Sequence, residues 1–276
     1  MQNIIITGGA GGIGTHLSKA LVDDGFKVIV IGRDPAKFDR LYEGIEKKNN
    51  IEFYRLSVAS VHDVNDFFCS LNDLEYQLFA LINCAGVQGP IGTFSETDSD
   101  EWATNISINL LGTANIIRGS LPFFSGENNH GKIINFSGGG ATSSRPNFSA
   151  YAVSKTAIVR LTEILAAELK DSQIDINAVA PGPINTAMLR DIFESGKRAG
   201  KEYALALERK KGSGESPEKA VDLCRFLLSK GSDGISGKLI SAIWDDYRDS
   251  SFIKRLKEDS DFCCLRRVDA INFHST

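Results

Sequence analysis

The feature that most constrains this chain lies at its start, where the apolar run Asn3-Ile4-Ile5-Ile6-Thr7 leads straight into Gly8-Gly9-Ala10-Gly11-Gly12-Ile13-Gly14. A short β-branched run bounded by a turn signal reads as a buried strand, and Leu17, Ala20 and Leu21 then recur at helical spacing. Strand, glycine turn and helix in this order make a phosphate site. The glycines let backbone N–H groups approach a pyrophosphate, and the helix N-terminus adds positive potential. A dinucleotide site is therefore expected, rather than a merely flexible turn.

The same alternation continues along the chain. Strands are expected at Asn3–Thr7, Lys27–Ile31, Ile51–Leu56, Leu78–Asn83, Lys132–Phe136, Asp175–Val179 and Lys238–Ala242. Helices are expected near Gly12–Asp24, Pro35–Lys47, Val61–Leu74, Ser99–Leu121, Ser149–Leu169 and Pro217–Ser229. Such alternation indicates βαβ units and a parallel sheet. The expected fold class is α/β, a single-domain Rossmann-like doubly wound sheet with its ligand beyond the carboxyl ends of the strands.

Tyr151-Ala152-Val153-Ser154-Lys155 sits in one of the helical stretches. Residues i and i+4 share a helical face, so phenol and ammonium can address one reacting centre. Free tyrosine, with a pKa of about 10, is a poor acid or base at neutral pH, and lowering it by about three units takes roughly 4 kcal/mol. Burial pushes the wrong way and a fixed cation the right way, so the pair makes sense as a tuned general acid/base.

Thr7-Gly8-x-x-x-Gly12-x-Gly14 together with Tyr151-x-x-x-Lys155 resembles the short-chain dehydrogenase/reductase family. Further segments follow in the family's order. Asn83-Cys84-Ala85-Gly86 is similar to its Asn-Asn-Ala-Gly motif, and Asn109 matches its helix asparagine. Pro181-Gly182-Pro183-Ile184-Asn185-Thr186 matches the segment that closes over the nicotinamide. The resemblance spans residues 3 to 243, and the glycine spacing is that of the single-domain reductases rather than the extended epimerases.

The resemblance implies hydride transfer at a nicotinamide, coupled to proton transfer by Tyr151. Lys155 would bond the nicotinamide ribose and lower the tyrosine pKa, and Asn109 would hold a water linking Lys155 to solvent. The implied cofactor site comprises Gly8, Gly12, Ile13, Gly14, Arg33, Ser57, Val58, Asn83, Ala85, Gly86, Tyr151, Lys155, Pro181, Gly182, Ile184 and Thr186. Asn83 reads as a backbone brace more than as a catalytic group. Relatives suggest a homodimer or homotetramer built on the long helices, and a lid at residues 186–211 within a domain of residues 1–243. The extension at 244–276 carries Phe252, Ile253, Leu256, Phe262, Leu265 and Val268, enough apolar spacing to dock on the domain or on a neighbouring subunit.

Three positions depart from the family pattern. The slot of the catalytic serine holds Gly138, with Ser137 one residue earlier in Ser137-Gly138-Gly139-Gly140. A bulge in this glycine run, which tolerates rearrangement, is expected to bring Ser137 to the oxyanion position. Otherwise Ser137 faces the core, and the hydroxyl is missing or comes from Thr142 or Ser143. Where NAD-preferring relatives carry an acid after the second strand, this chain has Gly32, leaving room for a 2′-phosphate that Arg33 can grip. NADP is thus expected, NAD remaining possible with Asp34 as ribose ligand. Ser57 replaces an aspartate that often faces the adenine amino group.

The composition excludes other classes. Five cysteines without Cys-x-x-Cys spacing and four scattered histidines suit a reducing compartment and no metal site. A net charge of -4 argues against a nucleic-acid partner. No run approaches the ~18 apolar residues of a membrane span, and the first strand starts too early for a signal peptide, so a cytoplasmic protein is expected. The expected function is an NADP-dependent oxidoreductase interconverting a small-molecule ketone and a secondary alcohol. The alternative is a catalytically weak or inactive dinucleotide-binding sensor.

Overall fold

The computed structural model describes residues 1–46, 48–72, 76–124, 130–211 and 216–268. Its strands are β1 (Asn3–Thr7), β2 (Lys27–Gly32), β3 (Ile51–Arg55), β4 (Ala80–Asn83), β5 (Gly131–Phe136), β6 (Ile174–Ala180) and β7 (Leu239–Ser241). They form one seven-stranded sheet in the order β3-β2-β1-β4-β5-β6-β7. Every pairing is parallel.

The side-chain period of two explains how β1 serves both faces. Ile4 and Ile6 enter one core layer with Leu17 and Leu21, while Ile5 enters the other with Phe67, Phe68, Ile116 and Ile117. All three isoleucines are fully buried, as parallel strands covered on both faces require. One layer is built by α1 (Gly12–Asp23) and α9 (Glu218–Leu228), the other by α3 (Val61–Asn72), α5 (Gly112–Ser120) and α6 (Ser149–Glu168). Strand order reverses at β1 and β4, which opens the crevice where ligands of such sheets bind.

Two expected helices differ in extent. The segment Ser99–Leu121 is not one regular helix: α4 (Ser99–Ile106) passes through a π turn at Ser107–Leu111 before α5. The cause is Asn109, fully buried at the centre of that turn. Its amide accepts from Val87 N (2.8 Å) and donates to Val87 O (2.9 Å), holding the helix to the chain after β4. The segment expected at Pro35–Lys47 forms only α2 (Pro35–Leu41), started by the Asp34 cap and stopped near Gly44, which adopts φ 78°. Lys47 lies outside the described residues.

The region after β6 forms α7 (Ala187–Ser195) and α8 (Lys201–Lys211). Beyond β7, α10 (Ser250–Glu258) starts at an Asp249 cap and buries Leu256, with Phe252, Ile253 and Phe262 against the main core. Val268 stays exposed, and the buried Lys238 ammonium donates to the carbonyls of Asp259 (2.6 Å) and Phe262 (3.0 Å). Residues 269–276 lie outside the described residues.

At the glycine turn backbone packs directly against backbone. Gly8 has φ 69°, and a Cβ there would lie 2.7 Å from Ala85 Cα. A Cβ at Gly14 would overlap the Gly8 carbonyl oxygen. Gly14→Ala is expected to cost about 1–3 kcal/mol by overpacking. A lower denaturant midpoint would report it, and an unchanged midpoint would contradict this close approach.

Candidate functional site

The crevice is held by hydrogen bonds from residues far apart in sequence. The Thr7 hydroxyl accepts from the backbone N–H groups of Cys84 (3.2 Å) and Ala85 (3.2 Å), tying the end of β1 to the end of β4. The Gly9 carbonyl accepts from Thr15 Oγ1 (3.0 Å) and from Tyr42 Oη (2.7 Å), so α2's C-terminal neighbour braces the turn. At its N-terminus α1 has no side-chain cap and no acidic residue in the first turn. Its first N–H groups are left for an anion.

A cavity of about 900 Å³ runs from this turn to α7 and α8. Gly8, Gly12 and Ile13 line it, as do Arg33, Ser57 and Val58 beside the ends of β2 and β3. Ala85, Gly86, Pro181, Gly182, Ile184 and Thr186 line its middle, together with Tyr151 and Lys155. Three expected site residues stand back from it. Gly14 sits against the Gly8 carbonyl, while Asn109 is engaged with Val87, Asn105 and Ser154. Asn83, expected in the cofactor set and as a backbone brace, has its amide donating to Asn135 Oδ1 (2.9 Å) within the sheet, since the last residue of β4 is still enclosed by β1 and β5.

Tyr151 is buried on one side by Ile91, Phe148 and Ile192, with Met188, Leu189 and Phe193 of α7 around it. Burial raises its pKa above the usual phenol value, and the cation that opposes this is Arg145. Lys155 is buried too, which pulls its ammonium down to about 8. That ammonium donates to Phe136 O (2.8 Å) and lies 5.7 Å from the centroid of the Tyr151 ring.

The expected bulge at Ser137 does not form. Ser137 N–H still pairs with Val179 O (2.9 Å), so the strand register runs past Phe136 and the Ser137 side chain turns under α6. There its hydroxyl donates to Lys155 O (3.3 Å) rather than to the phenol. Gly138 is the residue beside Tyr151, and a Cβ on it would overlap the phenol oxygen. Thr142 and Ser143 line the cavity with exposed side chains.

Several cavity residues escaped the sequence reading. Lys37 reaches the glycine turn, its ammonium 3.8 Å from where a Gly11 Cβ would stand. Asp34, by contrast, accepts from Lys37 N (3.0 Å) as the cap of α2. Gln88, Arg145, Glu202 and Trp244 also line the cavity. Only Lys37 carried a signal, as a basic residue one helical turn beyond Arg33. The others meet through long-range loop packing, which leaves no local pattern.

A family model for short chain dehydrogenases matches residues 2–197. The chain belongs to the short-chain dehydrogenase family. The diacetyl reductase [(S)-acetoin forming] of Staphylococcus aureus is 30% identical over 245 residues, covering 86% of this chain and 94% of that protein. The dehydrogenase/reductase SDR family member 4 of Caenorhabditis elegans is 28% identical, covering 86% and 91%. Among solved structures, ElxO with NADP bound has a TM-score of 0.74 and 27% identity, covering 87% of this chain and 96% of that one. This short-chain dehydrogenase is thus an oxidoreductase with a single Rossmann-like domain. No described helix is long and apolar enough to cross a membrane.

The burial of Lys155 has a measurable cost in the free protein. Its folded pKa of about 8 lies below the unfolded value of 10.5, so between them the unfolded chain binds more protons and stability rises with pH. Lys155→Met is expected to raise the melting temperature at pH 7, with the gain shrinking above pH 8 as the native lysine loses its proton. A variant less stable than the parent at pH 7 would contradict this.

Proposed function

We propose that this dehydrogenase interconverts a small-molecule ketone and a secondary alcohol with NADP, using Tyr151 as general acid/base. The observation that carries the reading is the convergence of Tyr151, Lys155 and the glycine turn on one cavity. The turn fits a dinucleotide on its own terms, since side chains at Gly8 or Gly14 would collide with backbone and the α1 N-terminus is uncapped. Gly8, Gly12 and Ile13 would hold the pyrophosphate. Ala85, Gly86, Pro181, Gly182, Ile184 and Thr186 would flank the nicotinamide half, and Ser57 and Val58 the adenine. When bound, the nicotinamide supplies the hydride.

The chain's own residues deliver the proton and the orientation. Tyr151 would donate to the carbonyl oxygen in reduction, from a water-poor pocket of Phe148, Ile91 and Ile192. Lys155 would exchange Phe136 O for the ribose hydroxyls and steady the phenolate. Asn109 keeps the chain after β4 in register with α6 through Ser154 (3.0 Å), and would support the lysine through its surroundings. With Gly138 in the serine slot, Ser137, Thr142 and Ser143 are the hydroxyls of this stretch that line the cavity and could steady the substrate oxygen.

Preference for NADP is supported by Arg33 and Lys37 at the same end of the cavity, and by Asp34 being engaged as a helix cap. The bound cofactor in ElxO with NADP bound agrees. The non-catalytic alternative is not favoured, since the relatives carry reductase and dehydrogenase names. A homodimer or homotetramer and a cytoplasmic location belong to the same proposal. For the oligomer, exposed Leu111, Val153 and Ile164 on the long helices are the supporting feature.

Tyr151→Phe is expected to lower ketone reduction by ~10²–10⁴ while leaving NADPH binding, read by cofactor fluorescence, nearly unchanged. Undiminished turnover would remove Tyr151 from the reaction. Replacing Arg33 and Lys37 together by serine is expected to weaken NADPH binding at least about tenfold, because charge-assisted bonds to a phosphate are lost, while NADH binding holds. Equal effects on both dinucleotides would contradict the NADP assignment.

A further inference from the structure

Arg145 lies outside the glycine turn and outside the Tyr151–Lys155 pair, yet it is the cation most firmly fixed around the phenol. Its guanidinium carbon stands 4.0 Å from the centroid of the Phe148 ring and 5.4 Å from that of Tyr151. With the Gln88 amide turned so that its oxygen faces Arg145, that oxygen accepts from Nη1 (3.1 Å) and Nη2 (2.9 Å), and its nitrogen donates to Met188 O (2.7 Å). Nη2 also donates to Glu202 Oε2 on α8 (3.2 Å), a part-buried ion pair. Three segments meet at one planar group: the chain after β4 through Gln88, the chain after β5 through Arg145, and the lid through Met188 and Glu202. A stacked, multiply bonded guanidinium is pre-organised in a way that a lysine would not be.

The partner expected to tune the tyrosine is turned elsewhere. The Lys155 ammonium is engaged with Phe136 O, and the cation that opposes the effect of burial on Tyr151 is Arg145. The other titratable groups lining the cavity are Cys84 just after β4, Asp191 on α7, Glu202 and Arg209 on α8, and Arg33, Asp34 and Lys37 at the glycine-turn end. Cys84 acts against the phenolate and Arg145 for it.

Resting on the assignment of Tyr151 as the acid/base, we propose that Arg145 is a positioning residue for Tyr151, a fixed cation whose effective charge is set by Glu202 of the lid. Arg145 favours the phenolate. Glu202 neutralises part of that field while α8 covers the cavity, so the reactivity of the tyrosine is coupled to the lid. The two members of one ion pair therefore act on the phenol with opposite signs. A merely structural salt bridge would not do this, since removing either partner would then loosen the same contact in the same way.

The test reads Tyr151 directly in the cofactor-free protein. Fluorotyrosine is incorporated throughout, which brings the phenol's titration into an accessible range, and the Tyr151 resonance is assigned in fluorine NMR by its absence in Tyr151→Phe. Arg145→Gln is expected to move the Tyr151 midpoint up by about one pH unit, and Glu202→Gln to move it down by a comparable or smaller step. Arg145→Lys, which keeps the charge, is expected to restore most of the difference. Shifts of the same sign in Arg145→Gln and Glu202→Gln, or no shift in either, overturn the proposal. The pH profile of ketone reduction is followed in parallel. Midpoints that move as expected while that profile stays fixed would leave the role of Arg145 standing and count against Tyr151 as the proton donor.

Discussion

The close approach of β1, the glycine turn and α1 is the constraint on which the rest of this protein depends. Gly14 packs where any side chain would strike the Gly8 carbonyl, and Gly8 packs where any side chain would strike Ala85. Thr7 then pins the end of β4 to the end of β1 through two backbone N–H groups. The crevice between these strands follows from that junction, because the chain leaves β1 for the helix layer on one face of the sheet and leaves β4 for the layer on the other. Loosening the junction would displace the turn, the β4 loop and the Asn109 clamp together.

The second governing effect is electrostatic. Tyr151 and Lys155 are both buried, and burial alone drives the phenol up and the ammonium down, toward neutral forms. In the free protein the pair is thus in an unfavourable setting for charge, one that a bound dinucleotide and the surrounding cations would relieve. Such stored cost at a functional centre is ordinary. Beside the pair, Asn105 and Asn109 are buried and polar because they bond the backbone of Val87 and Gly89, where the chain after β4 has left the strand ladder.

Much of this was legible in the chain itself. The runs at Asn3–Thr7 and Lys27–Ile31 read as buried strands, and the helix carrying Tyr151 and Lys155 was clear from its pattern. What escaped depended on contacts without local pattern. The π turn needs Asn109 to find Val87, across a loop, so periodicity alone showed one long helix. The place of Ser137 was misread because glycines permit a bulge but do not require one, and pairing with β6 kept the strand straight. Arg145 and Glu202 meet from segments far apart in sequence, and neither stands in a recognisable motif.

The most direct test of the account is a crystal structure of the protein with NADP bound. The pyrophosphate is expected against Gly12 and Ile13, the 2′-phosphate beside Arg33 and Lys37, and the Lys155 ammonium moved from Phe136 O onto the nicotinamide ribose next to Tyr151. A dinucleotide bound elsewhere, or a nicotinamide turned away from Tyr151 with Lys155 still on Phe136 O, would contradict it.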